Sequence, residues 1–208
     1  MPFDYLVSAL VTLAVVVDPV GLVPTFLAVT EGLPQQARRR IAVRASIITA
    51  AILAGTALVG DWLLREMGIT LPAFRIAGGL LLFAVASEMV FGSRIERQSK
   101  QAEDALEEHV RNVAAFPLAI PLMAGPGAIT ATLLLAGQAS GQPIALVVLI
   151  IVVMVVCALC LGAFLLANRV NRLLGITGNV VLSRLLGVLL AALAAQYVID
   201  GVRVLLPA

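Results

Sequence analysis

Two stretches of this chain place residues that a helix cannot hold inside runs long and apolar enough to cross a membrane. Asp18-Pro19-Val20-Gly21-Leu22-Val23-Pro24 puts two prolines and a glycine within seven residues, and Pro117-Leu118-Ala119-Ile120-Pro121 leads into Gly125-Pro126-Gly127. Proline in a helix interior removes a donor and clashes with the preceding turn, and glycine weakens the helix further. Neither stretch can stay regular. The N–H and C=O groups so released cannot face lipid, so they must be buried against protein or line a polar cavity.

Composition makes lipid the relevant solvent. The 208 residues are 61% hydrophobic and 12% charged, whereas a soluble domain is about 45–50% apolar and about 25% charged. Six apolar segments can be read: Asp4 to Thr30, Ile41 to Leu64, Pro72 to Phe91, Val113 to Gly137, Pro143 to Ala167 and Val180 to Leu206. Each supplies the ~20 residues that a helix needs to cross a ~30 Å hydrocarbon core. A cleaved signal peptide is not expected. No Lys or Arg precedes the apolar run from Leu6 to Val17, and Asp18-Pro19 stands where a small-residue cleavage site belongs.

The charges give an orientation and exclude several functions. A net charge of +2 makes no case for nucleic acid. With the N-terminus outside, 11 of the 14 Lys and Arg residues fall in cytoplasmic segments, and only Arg65, Arg75 and Arg203 fall outside. Both termini are then external. The hydrophilic stretch from Ser93 to Arg111 reads as a solvated connector, with mixed charges at the spacing of a surface helix. It contains Arg94 and the lone His109, which cannot make a metal site by itself. Cys157 and Cys160 share one uncharged run and read as packing residues rather than a redox pair.

The two halves resemble each other. At an offset of 107, Asp18-Pro19-Val20-Gly21 aligns with Gly125-Pro126-Gly127-Ala128, Thr25 with Thr132, and Gly68-Ile69-Thr70 with Gly175-Ile176-Thr177. After a two-residue shift Arg75, Gly78 and Gly92 align with Arg184, Gly187 and Gly201. Three spans per half invert the second half relative to the first, the architecture of many secondary transporters. The expected fold is therefore all-α and polytopic: six transmembrane helices in one domain, arranged as two inverted three-helix repeats. Repeat one covers residues 3–92, the cytoplasmic connector 93–112 and repeat two 113–208, and the first and fourth helices are discontinuous.

Half-helix ends supply what a zwitterion needs without any cofactor or metal. Exposed N–H groups at a helix N-terminus attract a carboxylate, and free carbonyls accept from an ammonium group. Candidate substrate-binding residues are therefore Asp18, Pro19, Gly21, Pro24 and Thr25 at one break, and Gly125, Pro126, Gly127, Thr130 and Thr132 at the other. Asp18 is also the candidate coupling residue, since a carboxylate within a span is costly and usually functional. It can bind an amine, carry a proton, hold Na⁺, or cap the half-helix that begins at Pro19. Glu88 is expected to snorkel from the end of the third span. Arg75 and Arg184 read as helix-start residues, and Gln196 and Asp200 are weaker site candidates.

At these residues the chain resembles the MarC family of bacterial inner-membrane proteins, which includes the SnatA small neutral amino acid transporters. The likeness spans nearly the whole chain. It rests on Asp18 to Phe26 with Thr30-Glu31-Gly32, on Ile120 to Thr130, and on Gln196-Tyr197-Val198-Ile199-Asp200-Gly201. The resemblance implies six spans and transport of glycine, alanine or similar solutes, with proton coupling. Members commonly carry Asn at the position of Asp18, which caps a helix and binds an amine without titrating. An exporter of another small solute, with a lysine-exporter-like fold, is the alternative. A membrane enzyme or thiol carrier is disfavoured, because no acid–base pair, metal-ligand cluster or suitably placed cysteines are present.

Overall fold

The structure is a computed structural model, and it describes residues 2–94, 97, 100 and 114–205. All regular structure among them is helical: α1 (Pro2–Val17), α2 (Val23–Val29), α3 (Gln35–Glu66), α4 (Leu71–Phe91), α5 (Ala114–Met123), α6 (Pro126–Gln138), α7 (Pro143–Leu165) and α8 (Ala167–Leu205). Most of the expected surface helix between Ser93 and Arg111, including His109, lies outside the described residues.

Among the described residues four helices are long and apolar enough to cross a membrane: α3, α4, α7 and the Thr177–Leu205 part of α8. The other two expected spans are the interrupted ones. α1 and α6 have 16 and 13 residues, so at 1.5 Å per residue neither reaches across a ~30 Å core alone.

Sequence explains where the helices stop. Gly68 and Gly175, aligned by the internal repeat, both take left-handed φ, 69° and 59°, a region open to glycine without steric cost. Each is followed two residues on by threonine. Thr70 caps α4 by accepting from the Ala73 N–H at 3.4 Å, and Thr177 begins the long part of α8. The sixth segment therefore starts slightly before the expected Val180, preceded by a short helical piece carrying Arg169 and Arg172.

Packing follows an inside-out logic. Along α7, Ala145, Leu149, Val152, Val156, Cys160 and Phe164 are buried, while Ile144, Val147, Ile151, Met154 and Leu159 are exposed. Both faces are apolar, which suits a helix with protein on one side and lipid on the other. Cys157 and Cys160 are free thiols within this core.

α4 and α8 approach through glycines. A Cβ added at Gly79 or Gly201 would lie 2.8 Å from a backbone carbonyl of the facing helix, that of Ala194 or Pro72. Small residues that admit such closeness are the usual device for helix association in lipid.

The contacts between the two halves also fall into matched sets. α4 packs on α8, α3 on α7 and α1 on α6. The packing of α1 on α7 is matched by that of α5 and α6 on α3, and the packing of α1 and α2 on α8 by that of α6 on α4.

Candidate functional site

The first break is closed by a side chain. α1 ends because Asp18 takes a left-handed φ of 53° and Pro19 has no N–H to continue the ladder. The chain turns through residues 18–22, with the Leu22 N–H donating to the Asp18 carbonyl at 3.2 Å. The Gly21 N–H donates to Asp18 Oδ1 at 2.9 Å, a local bond of the kind by which aspartate favours turns over helix. A Cβ at position 21 would collide with the Asp18 carboxylate and push it off the Gly21 N–H. Asp18 is only 3% exposed.

A helix end leaves its last carbonyls without intrahelical donors. At the end of α1 one of them is taken from far along the chain: Arg94 Nη2 donates to the Val16 carbonyl at 2.9 Å, between residues 78 apart in sequence. A cation also suits the negative pole of a helix dipole. Arg94 is 6% exposed, and its Nη1 is buried with no acceptor among the described residues. It also interacts electrostatically with Asp18. The expectation that Arg94 belongs to a solvated connector is therefore wrong. α4 stops at Gly92, whose φ of 86° and N–H bond to the Glu88 carbonyl end the helix, and the chain turns Arg94 back into the protein. Glu88, expected to snorkel from the end of the span, pairs with Arg97 at 2.7 Å.

The second break is made of backbone alone. α5 winds in the wider π form, and the Ala124 N–H donates five residues back, to the Ala119 carbonyl at 2.8 Å. Gly125 is then extended and serves as N-cap of α6 with no side-chain cap, and Pro126 occupies the first turn, where its missing N–H costs nothing. The N–H groups of Gly127 and Ala128 open the helix without intrahelical acceptors. A Cβ at Gly125 would come 2.5 Å from the Pro121 carbonyl oxygen, and one at Gly127 would come 3.1 Å from Val85 and 3.4 Å from Val16. Backbone and neighbouring side chains leave no space for larger residues.

Between the two breaks lies a cavity of about 190 Å³. Val16 at the end of α1, the end of α5, Gly125, Pro126 and Gly127 at the start of α6, Val85 of α4, and both Arg94 and Arg97 form its wall. Its size falls below the ~300–1,000 Å³ of drug-sized sites. The first turn of α6 and Arg94 make this wall electropositive, set against apolar valines. A wider hollow of about 650 Å³ beside Tyr5, Gln138 and Ile144 lies away from both breaks.

Of the residues singled out in the sequence, the structure brings Gly125, Pro126 and Gly127 to this cavity. Asp18, Pro19, Gly21, Pro24 and Thr25 form or flank the neighbouring break without lining it. Thr25, Thr130 and Thr132 are buried, but Thr132 Oγ1 donates to its own helix, to the Ala128 carbonyl at 2.8 Å. The Thr130 methyl faces Gly78. Gln196 and Asp200 satisfy each other at 2.7 Å.

Arg94 is the residue that sequence reasoning missed. The register that aligns Gly92 with Gly201 also aligns Arg94 with Arg203, but Arg203 is exposed, so the recurrence of Gly-x-Arg does not mark the buried residue.

Several apolar helices with lipid-suited faces, and two buried helix breaks around a small cavity, define a multi-pass integral membrane protein. Residues 3–206 match the model of the MarC family, described as MarC family integral membrane protein, and the chain belongs to that family. Relatives include the UPF0056 membrane protein MJ1677 of Methanocaldococcus jannaschii, 35% identical over 98% of both chains. A UPF0056 membrane protein of Aquifex aeolicus is 36% identical over 96% of this chain and 93% of its own. The UPF0056 membrane protein YhcE of Escherichia coli is 35% identical over 92% of this chain and 88% of its own. No solved structure matches.

Proposed function

We propose that the chain is a secondary transporter of small neutral amino acids, of the glycine and alanine type, working by alternating access. In this reading α1 with α2, α3 and α4 form one three-span repeat, and α5 with α6, α7 and α8 form its inverted counterpart. The matched contacts between halves and the shared left-handed glycines at 68 and 175 support that division. The charge distribution supports cytoplasmic loops around Arg38–Arg40 and the connector, with both termini outside.

One observation carries the functional reading. The C-terminal end of one half-helix and the N-terminal end of another, α1 and α6, share a cavity of about 190 Å³. The helix N-terminus and Arg94 suit the carboxylate of a small solute, and discontinuous helices at a repeat interface are where secondary transporters hold substrates. The glycines restrict the space to a small solute. Asp18, at the first break, is the candidate for proton or sodium coupling.

Uptake of labelled glycine and alanine into proteoliposomes, with and without a pH or Na⁺ gradient, tests the reading. Saturable uptake of either is the expected result. No saturable flux of any small amino acid in either direction would overturn it.

A further inference from the structure

We propose that Arg94 and the opening turn of α6 together form a carboxylate subsite in this cavity, holding the anionic end of a small monocarboxylate solute. The proposal deepens the transporter reading and rests on it for the identity of the solute. The start of α6 offers the N–H groups of Gly127 and Ala128, which have no acceptor among the described residues, and the positive end of a helix dipole. That alone is common to many helices. The second observation is Arg94, which lines the same cavity and is 6% exposed.

Arg94 is incompletely satisfied where it stands. Nη2 is engaged by the Val16 carbonyl, while Nη1 is buried without an acceptor among the described residues. A buried charged donor left without an acceptor is destabilising, and an anion between Arg94 and α6 removes that cost. The planar guanidinium suits the task, since its fork can bond the Val16 carbonyl on one arm and a carboxylate on the other. Arg97 also lines the cavity but is already paired with Glu88, and the valines at 16 and 85 add apolar surface, which favours a small apolar side chain on the solute.

The test uses full-length protein purified in detergent, with L-alanine, alaninamide and propionate as probes of binding, and the variants Arg94→Gln and Arg94→Lys. Wild-type protein is expected to bind alanine and to discriminate against alaninamide, which keeps the amine and lacks the carboxylate. Arg94→Gln should weaken alanine binding about 10- to 100-fold, the range for losing a hydrogen bond to a charged group. Arg94→Lys, which keeps the charge without the fork, should fall between.

A well-folded Arg94→Gln protein that binds alanine as the wild type does would overturn the proposal. So would wild-type protein that binds alaninamide as tightly as alanine, a result independent of whether any variant folds. If no amino acid is bound or transported but propionate binds in an Arg94-dependent way, the subsite stands and the amino-acid reading falls. If alanine is transported equally by wild type and Arg94→Gln, the transporter reading stands and the subsite falls.

Discussion

At the first break, side chains hold the interruption. Asp18 Oδ1 accepts from the Gly21 N–H, and Arg94 reaches across from the end of α4 to the Val16 carbonyl. At the second, Gly125 and Pro126 stand where the repeat aligns Asp18 and Pro19, and no side chain caps the helix that follows. The two breaks align in sequence yet are closed by different means. The difference teaches that a repeated backbone feature does not need repeated chemistry. Neither following helix has a side-chain cap, but one break carries its own carboxylate, bonded within the turn to the Gly21 N–H, and the other opens a helix N-terminus beside a cavity.

The largest expected effect breaks the second interruption. Gly125→Ala would set a Cβ 2.5 Å from the Pro121 carbonyl oxygen, and rigid backbone cannot yield as a side chain can. We expect a loss of about 3 kcal/mol of stability, the upper range for overpacking, read as a lower melting temperature in detergent and loss of uptake. Wild-type melting and uptake would show that this break is not held by the Gly125–Pro121 approach.

Asp18 does not cap a half-helix starting at Pro19, since residues 19–22 form a turn and α2 starts at Val23 without a side-chain cap; the open point at the first break is whether Asp18 only closes the turn or also titrates. Asp18→Ala leaves the Gly21 N–H without its acceptor and should cost about 2 kcal/mol. Asp18→Asn keeps an acceptor oxygen and should cost less than about 1 kcal/mol, with gradient-driven uptake retained. A folded Asp18→Asn protein that exchanges substrate but no longer accumulates it against a gradient would make Asp18 the coupling group instead.

The breaks were legible because proline and glycine act through backbone geometry that no context reverses. The glycine–threonine stops at Gly68 and Gly175 were legible for the same reason, and recur in the structure with nearly equal φ. Arg94 was not legible as a buried group. It belongs to the hydrophilic Ser93–Arg111 run, which reads locally as solvated, and its partner is 78 residues away. The recurrence of Gly-x-Arg at Gly92 and Gly201 does not reveal it, since the aligned Arg203 is exposed. The facing of the threonines was equally hidden. A break resets the rotation of the helix beyond it, so the side on which Thr25 or Thr132 emerges cannot be extrapolated from the preceding turns.

The smallest effect concerns that facing. Thr132 stands seven residues after Gly125, as Thr25 stands seven after Asp18, so symmetry of sequence makes both hydroxyls equal candidates for substrate contact. In the structure the Thr132 hydroxyl instead donates to the Ala128 carbonyl one turn back, and such back-bonding contributes little to a helix. Thr132→Val preserves shape and removes only that bond, whose net worth is about 1 kcal/mol. Melting should barely move, and uptake of alanine should change by less than about fivefold. A much larger loss of uptake with unchanged melting would place the hydroxyl on the transported solute in some step of the cycle. The second break would then recognise its ligand through a side chain as well as through backbone, and the contrast between the two interruptions would narrow.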